Sequence, residues 1–567
     1  VVGLEGPAVV LSPGRTIPHG WLAMRAALGF EGHAEDLLSD LASTGARFVF
    51  IDNLDLFDED ERPTVTDVLR AAAKVPGVSV IVTARRGFGL EEPSWLPADV
   101  IAQLGGTTTV SVDELIPSEI DELRHAAPPL ALLLAQAHPA RQVARNLYRL
   151  SRLAAIAAGG ATPRTEVEMM DEWWRSADGP LEGRRERNQV LKAAAAHAVE
   201  VLTPFDAGAH PSTAVDALVA SETLRDLGNG LAGFRHDVLA EWAMACLLAS
   251  DDTALERLPL SRPVSARHAR ALELVARRSL EQGTDDTQWR ALLQRVSRSA
   301  MHGSWRRAVL LALVRSEAAP RLLNMTSETM LADECRLLRE LIGIVRAVEV
   351  TPMSQLLEAM GVNPSQLVAP IPPHFNAPSG PAWMPLIVWL LAKHDALPGA
   401  VVPDVADLFW DWSSGMLGQD PLTPLLLAVI YGWLLEIEKA SDLRPEGPSK
   451  FEEGLGGRNF TDVARDLRSY LALFGHRAPQ LAAAYVSDVR QRPHNERVAA
   501  QLLKHPAQSR KQCSIRCLEP LQPGLALGAW QLQRFVEQRG QSGKLFSVHV
   551  GLGCTRRWEL RSSERCL

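Results

Sequence analysis

Short apolar runs alternate with amphipathic segments of helical length over residues 1–112, and this alternation is the strongest constraint on the fold. The runs AVVLS, FVFID and VSVIVTA are separated by segments of helical pattern at 34–44 and 64–74, and TTTVSV follows. Such alternation is typical of βα units, in which helices join parallel strands and cover their sheet. The sequence therefore predicts an α/β domain with a parallel sheet.

The strand signal fades after residue 113, and helical patterns dominate. ALLLAQAHPARQVARNLYRLSRLAAIAA reads as a helix, a break near Pro139 and a second helix. Residues 166–252 are predicted to hold several short helices, the last of which places Phe234, Val238, Trp242 and Ala245 on one face. A long series of one-sided helices follows, and stacked helical hairpins are the natural way to bury them. The sequence thus predicts an α/β part followed by an all-α part of solenoid type.

Composition restricts the class of protein. At 567 residues the chain is long enough for several domains, and its net charge of −8 gives no electrostatic footprint for nucleic acid. The apolar runs at 384–392 and 421–437 are too short or proline-interrupted to span a bilayer, and no signal segment opens the chain. We therefore expect a cytoplasmic protein without a membrane partner.

Cysteine and tryptophan usage indicates packing rather than chemistry. Six cysteines are too few for a disulfide scaffold, and Cys246 and Cys335 lie within helical patterns as expected buried thiols. The four late cysteines lack the paired spacing of a zinc site: Cys513, Cys517, Cys554 and Cys566. Four tryptophans of the second half are expected between helices, because no basic track accompanies them: Trp383, Trp389, Trp410 and Trp433.

Acidic and basic side chains follow two of the predicted strands. In RFVFIDNLDLFDEDE (47–61), an apolar run ends in Asp52 and is followed by Asp55. The next run, VSVIVTARR, ends in Thr83 with Arg85 just beyond it. Parallel strands deliver such residues to one edge of a sheet, where a carboxylate can serve nucleotide-bound Mg²⁺ and a guanidinium can contact a terminal phosphate. The competing interpretation is a solvated acidic loop and a surface arginine.

A phosphate-binding loop of the form G-x-x-x-x-G-K-[ST] does not occur in the 567 residues. The one Gly-Lys pair, Gly543-Lys544, is followed by Leu545, and SPGRT at 12–16 lacks the upstream glycine. The first strand-like run comes directly after Val1, where a second strand would lie if a first strand and its loop had been removed. The sequence thus indicates an N-terminally truncated chain, which we expect to bind ATP poorly.

Four motifs in order resemble the STAND class of signal-transducing NTPases, which includes NACHT and NB-ARC modules. FIDNLD resembles the NACHT-type acidic strand, with Leu56 where a second consecutive acid is frequent, and VTAR resembles the sensor motif. APPLALLL (127–134) is similar to the G-L-P-L motif, with Ala127 in place of glycine. FRHDVLAEWA (234–243) resembles the M-H-D motif, with Arg235 in place of methionine. The resemblance covers about residues 1–250.

The resemblance implies a domain order and a set of roles. The domains are a truncated P-loop NTPase domain (1–113), a helical lid (114–165), a winged-helix-like domain (166–252), a helical-repeat sensor (253–505) and an irregular tail (506–567). The implied site residues are Asp52 for Mg²⁺, Asp55 for the attacking water, Arg85 for the γ-phosphate, Thr83 beside them, Pro129 against adenine and His236 at the β-phosphate of ADP. Local alternatives are that Asp237 is a helix N-cap and that Pro129 merely begins a helix.

The function implied is a switch driven by ATP/ADP exchange with Mg²⁺ as cofactor. A protein trigger would bind the helical repeats and the activated chain would form homo-oligomers, as in bacterial antiphage defence or signalling. Two alternatives stay open. The first alternative is a non-enzymatic helical scaffold with a degenerate NTPase remnant, which the missing loop favours. The second is another P-loop switch such as an AAA+ ATPase.

Overall fold

The computed structural model describes most of the chain up to residue 491. The described residues are 8–13, 16–45, 48–54, 57, 59–84, 95–105, 114–115, 117–136, 138, 140–157, 162–200, 204–251, 253–353, 376–378, 381–416, 420–440, 451 and 454–491. The predicted strand TTTVSV, the predicted tail (506–567) and the four late cysteines lie outside them.

Helices far outnumber strands among the described residues. The strands are β1 (Ala8–Leu11), β2 (Phe48–Ile51), β3 (Ser79–Val82), β4 (Phe205–Asp206), β5 (Leu224–Gly228), β6 (Leu231–Phe234), β7 (Val350–Pro352) and β8 (Asn376–Pro378). The helices are α1 (Trp21–Leu28), α2 (Ala34–Ser43), α3 (Arg62–Ala72), α4 (Ala98–Gln103), α5 (Pro117–Ala126), α6 (Arg141–Ala144), α7 (Leu147–Ala157), α8 (Glu166–Ser176), α9 (Arg184–Glu200), α10 (Ser212–Ala220), α11 (Asp237–Ser250), α12 (Ala266–Glu281), α13 (Thr287–Val296), α14 (Gly303–Arg315), α15 (Ala319–Met325), α16 (Ser327–Val348), α17 (Trp383–Lys393), α18 (Val402–Gly415), α19 (Thr423–Ala440), α20 (Phe460–Phe474) and α21 (Pro479–Gln491).

The chain divides into two compact units. The first unit comprises residues 1–112, 170–276 and 294–308, and the second comprises residues 113–169, 277–293 and 309–567. An α/β part followed by mostly helical structure is therefore confirmed at the level of fold class.

The first unit contains the predicted parallel sheet, in the order β1-β2-β3. Strand β2 is its centre, and Val49 and Ile51 are almost fully buried while Phe48 and Phe50 are half-buried. The buried side chains pack with Leu38 of α2 and with the apolar face of α3. The core thus lies between one face of the sheet and these helices, which fixes the carboxyl ends of the strands.

Helix α1 has no counterpart in the sequence prediction, and its start depends on residues far along the chain. Gly20, at φ 86°, precedes it and donates its N–H to Thr64 Oγ1 at 2.8 Å. The N–H of Trp21 donates to Asp67 Oδ2 at 2.9 Å. Side chains of α3 therefore cap the start of α1, and the local sequence around α1 does not predict this start.

The first unit also contains a three-stranded antiparallel sheet of order β4-β6-β5 with α9, α10 and α11 around it. Two predictions for its last helix are wrong in detail. Phe234 lies in β6 rather than on the helix, and α11 is buried on all sides from Leu239 to Leu248 instead of on one face. The helix is a central core element, with Trp242 against Trp173 at 5.9 Å between ring centroids.

The second unit is built from helices packed on one another, and β7 and β8 form a short antiparallel pair. Helix α16 contacts α18, α15 contacts α17, and α19 contacts both α20 and α21. Trp383, Trp389 and Trp433 are buried between these helices, and Trp410 is half-buried against Tyr470 and Phe474. The prediction that the tryptophans serve packing is confirmed.

Two predicted helices of the second unit differ from the structure. The helix expected at ALLLAQ is absent, since a short 3-10 helix (Pro128–Leu130) leads into turns through residue 136. Helix α16 is broken by a left-handed turn in which Asp333, Glu334 and Cys335 have φ of 49°, 54° and 59°. Both Cys335 and Cys246 are buried, as predicted. Among the described helices, none has the length and apolar character needed to cross a membrane.

Candidate functional site

The predicted site residues Asp52 and Thr83 follow neighbouring strands and meet at one edge of the parallel sheet. Backbone ladders continue one residue past each strand, because Asp52 N–H donates to Leu11 O at 2.9 Å and Thr83 N–H to Ile51 O at 2.8 Å. The Thr83 hydroxyl donates to Asp52 Oδ1 at 2.9 Å. The carboxylate that follows β2 is thus oriented by the hydroxyl that follows β3.

Asn53 completes this arrangement, and sequence reasoning missed it. The residue has φ 54°, in the left-handed region that asparagine tolerates better than most residues. This conformation directs its N–H to Thr83 Oγ1 at 2.9 Å. Thr83 Oγ1 therefore accepts one hydrogen bond from Asn53 and donates one to Asp52. An asparagine directly after a buried strand was the available signal.

Aromatic side chains hold the segment that follows. The Trp95 indole N–H donates to Leu54 O at 2.8 Å, and the Trp95 ring lies 6.2 Å from that of Phe57. The Arg62 guanidinium lies over Trp95 at 5.4 Å from its centroid and donates from Nε to Phe57 O at 3.2 Å. The backbone carbonyls of Leu54 and Phe57 are consequently both held by side chains.

The chemistry at Asp52 fits a divalent ion held mainly by a nucleotide and water. Asp52 is half-buried, its Oδ1 is engaged by Thr83, and within the described part of the chain nothing donates to Oδ2. Mg²⁺ in nucleotide sites commonly takes one or two carboxylates and completes its shell with phosphate oxygens and water. Among the described residues no cluster of three His, Cys, Asp or Glu side chains is arranged to hold a metal by itself.

The structure describes two of the other four predicted site residues. Asp55 and Arg85 lie outside the described residues. Pro129 is exposed in the short 3-10 helix of the second unit. His236 is exposed between β6 and α11, in the same unit as Asp52.

The start of α11 contradicts one local alternative. His236 occupies the N-cap position and its carbonyl accepts from Leu239 N–H at 3.0 Å, whereas Asp237 is already helical. The Asp237 carboxylate instead pairs with Arg267, with Oδ1 2.7 Å from Nη2. The interpretation of Asp237 as an N-cap is therefore wrong, and Asp237 anchors the turn that presents His236.

No protein-family model matches the chain, and no curated protein is significantly similar to it.

Proposed function

We propose that this chain is part of a nucleotide-dependent switch of the STAND type, in which ATP/ADP exchange couples trigger sensing to assembly. The single observation that carries the proposal is the Asp52–Thr83 pair at the carboxyl edge of the parallel sheet. Ligands of open α/β sheets bind at that edge, outside the carboxyl ends of the strands. A buried strand that ends in an oriented carboxylate suits a magnesium nucleotide there.

The proposed roles follow from the chemistry of each side chain. Asp52 would hold Mg²⁺ through water, and Thr83 fixes its orientation by the 2.9 Å hydrogen bond. Asp55 would position the attacking water and Arg85 would contact the γ-phosphate. Bound Mg²⁺ would supply neutralisation of the phosphate charge. A glycine-rich loop of the form that this site requires does not occur in the 567 residues.

The antiparallel sheet supports a sensing role for His236. A small sheet with α9, α10 and α11 around it suits a winged-helix subdomain. His236 is exposed at the junction of β6 and α11, and the ion pair of Asp237 with Arg267 holds the neighbouring backbone. An exposed imidazole on a fixed turn can contact the β-phosphate of ADP and so favour a closed resting state.

The helices of the second unit suit the sensor role. One-sided helices that pack on near neighbours, as α19 does on α20 and α21, are the unit from which solenoids are built. Such an arm would bind a protein trigger, and binding would release homo-oligomerisation of the kind used in bacterial defence or signalling.

The test is ATP hydrolysis by the protein translated from its complete reading frame, compared with its Asp52→Asn variant. Loss of the metal-directed carboxylate is expected to lower the turnover number by roughly a hundredfold or more. The matched control is Asp40→Asn, which changes an exposed carboxylate of α2 and should leave turnover unchanged. Unchanged turnover in Asp52→Asn removes Asp52 from the mechanism.

A non-enzymatic helical scaffold is the second candidate function, and the missing phosphate loop favours it. It predicts no nucleotide hydrolysis in either variant or parent. An AAA+-like ATPase predicts the same loss in Asp52→Asn but no effect of His236 on assembly, which separates it from the proposed switch.

A further inference from the structure

Two segments of the first unit are rich in arginine and contain no acidic residue. They are residues 257–272 and 294–308, which together have eight arginines and two histidines but no aspartate, glutamate or lysine. The whole chain, by contrast, has 67 aspartates and glutamates against 59 lysines and arginines. The net charge of −8 is therefore an average that does not describe these two segments.

Hydrogen bonds join the two segments to each other. The N–H of His302 donates to Leu260 O at 2.8 Å. The indole N–H of Trp305 donates to Arg262 O, also at 2.8 Å. The loop that precedes α12 is thus held against the turn between α13 and α14, and the two basic segments form one continuous part of the first unit.

Four arginines border this junction, and we name them the arginine surface: Arg262, Arg298, Arg306 and Arg307. Arg262 and Arg298 are exposed, whereas Arg306 and Arg307, near the start of α14, are half-buried. Arg306 Nη1 donates to Ser297 Oγ at 2.5 Å, so Arg306 lies next to the turn that contains Arg298.

Three members of the arginine surface lack a counter-charge. The side chains of Arg262, Arg298 and Arg307 have no hydrogen-bond or ion-pair partner within the described residues. Arg267 of the same segment, by contrast, pairs with Asp237 at 2.7 Å. Guanidiniums gathered without carboxylates produce a positive local potential, which attracts anions from solution.

The side chains of the two segments favour a phosphate backbone over other anions. Both segments are fully described and expose no large hydrophobic side chain, although protein interfaces have an apolar core and membrane-bound helices have an apolar face. The guanidinium fork of arginine matches the geometry of phosphate oxygens. Trp305 is the one Phe, Tyr or Trp of the two segments and is fully buried, so none of these rings is available to stack on an unpaired base.

We propose that the arginine surface binds the phosphate backbone of double-stranded nucleic acid without reading its sequence. Its guanidiniums neutralise phosphates and release the counterions condensed on the duplex, so that affinity depends steeply on salt. Contacts to phosphate alone carry no information about the bases. The proposal is independent of the nucleotide site at Asp52 and adds a partner to the protein trigger.

The test is fluorescence anisotropy of a labelled DNA duplex of about 20 base pairs, titrated with the 567-residue chain at about 0.05–0.3 M salt. The logarithm of the association constant should fall linearly with the logarithm of the salt concentration. The expected slope is about −3 to −4, because each neutralised phosphate contributes about −0.9. A second duplex of unrelated sequence should bind with the same affinity.

Arg262→Gln and Arg298→Gln test the surface directly, since each removes one exposed guanidinium that has no partner within the described residues. Each should make the slope less steep by about 0.9 and weaken binding at about 0.1 M salt by roughly five- to tenfold. The matched control is Arg184→Gln, which changes an exposed arginine at the first residue of α9 and should leave both quantities unchanged. The last turn of α9 contacts His268 through Val199 O, which places Arg184 roughly 20 Å further along the helix.

The proposal is overturned if the parent does not bind the duplex at about 0.05 M salt, or if both glutamine variants keep the parent's slope and affinity. An equal loss in Arg184→Gln would also overturn it, because binding would then depend on overall charge. Vesicles of anionic lipid and polyglutamate are the competing probes. Binding of either one as tightly as the duplex would assign the surface to a membrane or to an acidic protein instead.

Discussion

The Thr83 hydroxyl, which follows β3, is hydrogen-bonded to both residues that directly follow β2. It accepts from Asn53 N–H at 2.9 Å and donates to Asp52 Oδ1 at 2.9 Å. Thr83→Val keeps the shape but removes both bonds and leaves a backbone N–H without its partner. We expect the free energy of unfolding of the first unit to fall by about 1–3 kcal/mol, as measured by urea denaturation.

Thr83→Ser is the matched control for this prediction, because it retains the hydroxyl and loses only a methyl group. It should keep most of the stability that Thr83→Val loses. Equal denaturation midpoints for the two variants would show that the hydroxyl does not organise the turn after β2.

The site could be predicted from the sequence only where a local pattern reports on it. Asp52 and Thr83 each follow an apolar run, and parallel pairing of the two runs is enough to bring them together. The role of Asn53 depends on a left-handed φ and on a partner 30 residues away. The buried ion pairs of Arg277 with Glu166 and Glu317 are harder still to predict, since they join residues that are distant along the chain.

The break in helix α16 places non-glycine residues in a strained, left-handed backbone conformation. Its sequence favours a continuous right-handed helix, yet Asp333, Glu334 and Cys335 form a left-handed turn. Each such residue costs roughly 1–2 kcal/mol unless it is glycine. Burial raises the pKa of Cys335 to about 11, so its thiol is neutral at physiological pH and serves packing in this turn.

Because of this strain, two glycine substitutions in helix α16 should change the free energy of unfolding in opposite directions. Glu334→Gly places glycine at an exposed left-handed position and should raise the free energy of unfolding of the second unit by about 1 kcal/mol. Glu328→Gly, at an exposed position with right-handed backbone in the same helix, should lower it by about 1 kcal/mol. Urea denaturation measures both. A loss of stability in both variants would contradict the left-handed turn.

Helices and strands could be predicted correctly where the local sequence determines them. Strands β1 to β3 and helices α2 and α3 follow from apolar runs and helical spacing, as do the amphipathic helices of the second unit. Helix α1 depends on caps from α3, and the turns after Leu130 replace a helix that the apolar run favours. Phe234 lies in a strand because β6 pairs with β4 and β5, which helical spacing cannot reveal.

In the proposed function, nucleotide state controls assembly of the protein. Asp52 and Thr83 lie in one compact unit with His236, and helices account for most of the described structure of the other. A contact made by His236 only in the ADP-bound closed state would set the balance between closed and open forms. A hydrogen bond to a charged group contributes about 1.5–3 kcal/mol, which is roughly a ten- to hundredfold shift in that balance.

The most direct test is the molar mass of the protein translated from its complete reading frame, determined by light scattering in Mg·ADP without a trigger. We expect the parent to remain monomeric, His236→Ala to assemble, and Asp237→Ala to lose stability but stay monomeric, because its carboxylate pairs with Arg267. Thermal melting recorded alongside separates assembly from unfolding. If His236→Ala stays monomeric as the parent does, His236 does not sense the nucleotide and the claim of a nucleotide-controlled switch is contradicted.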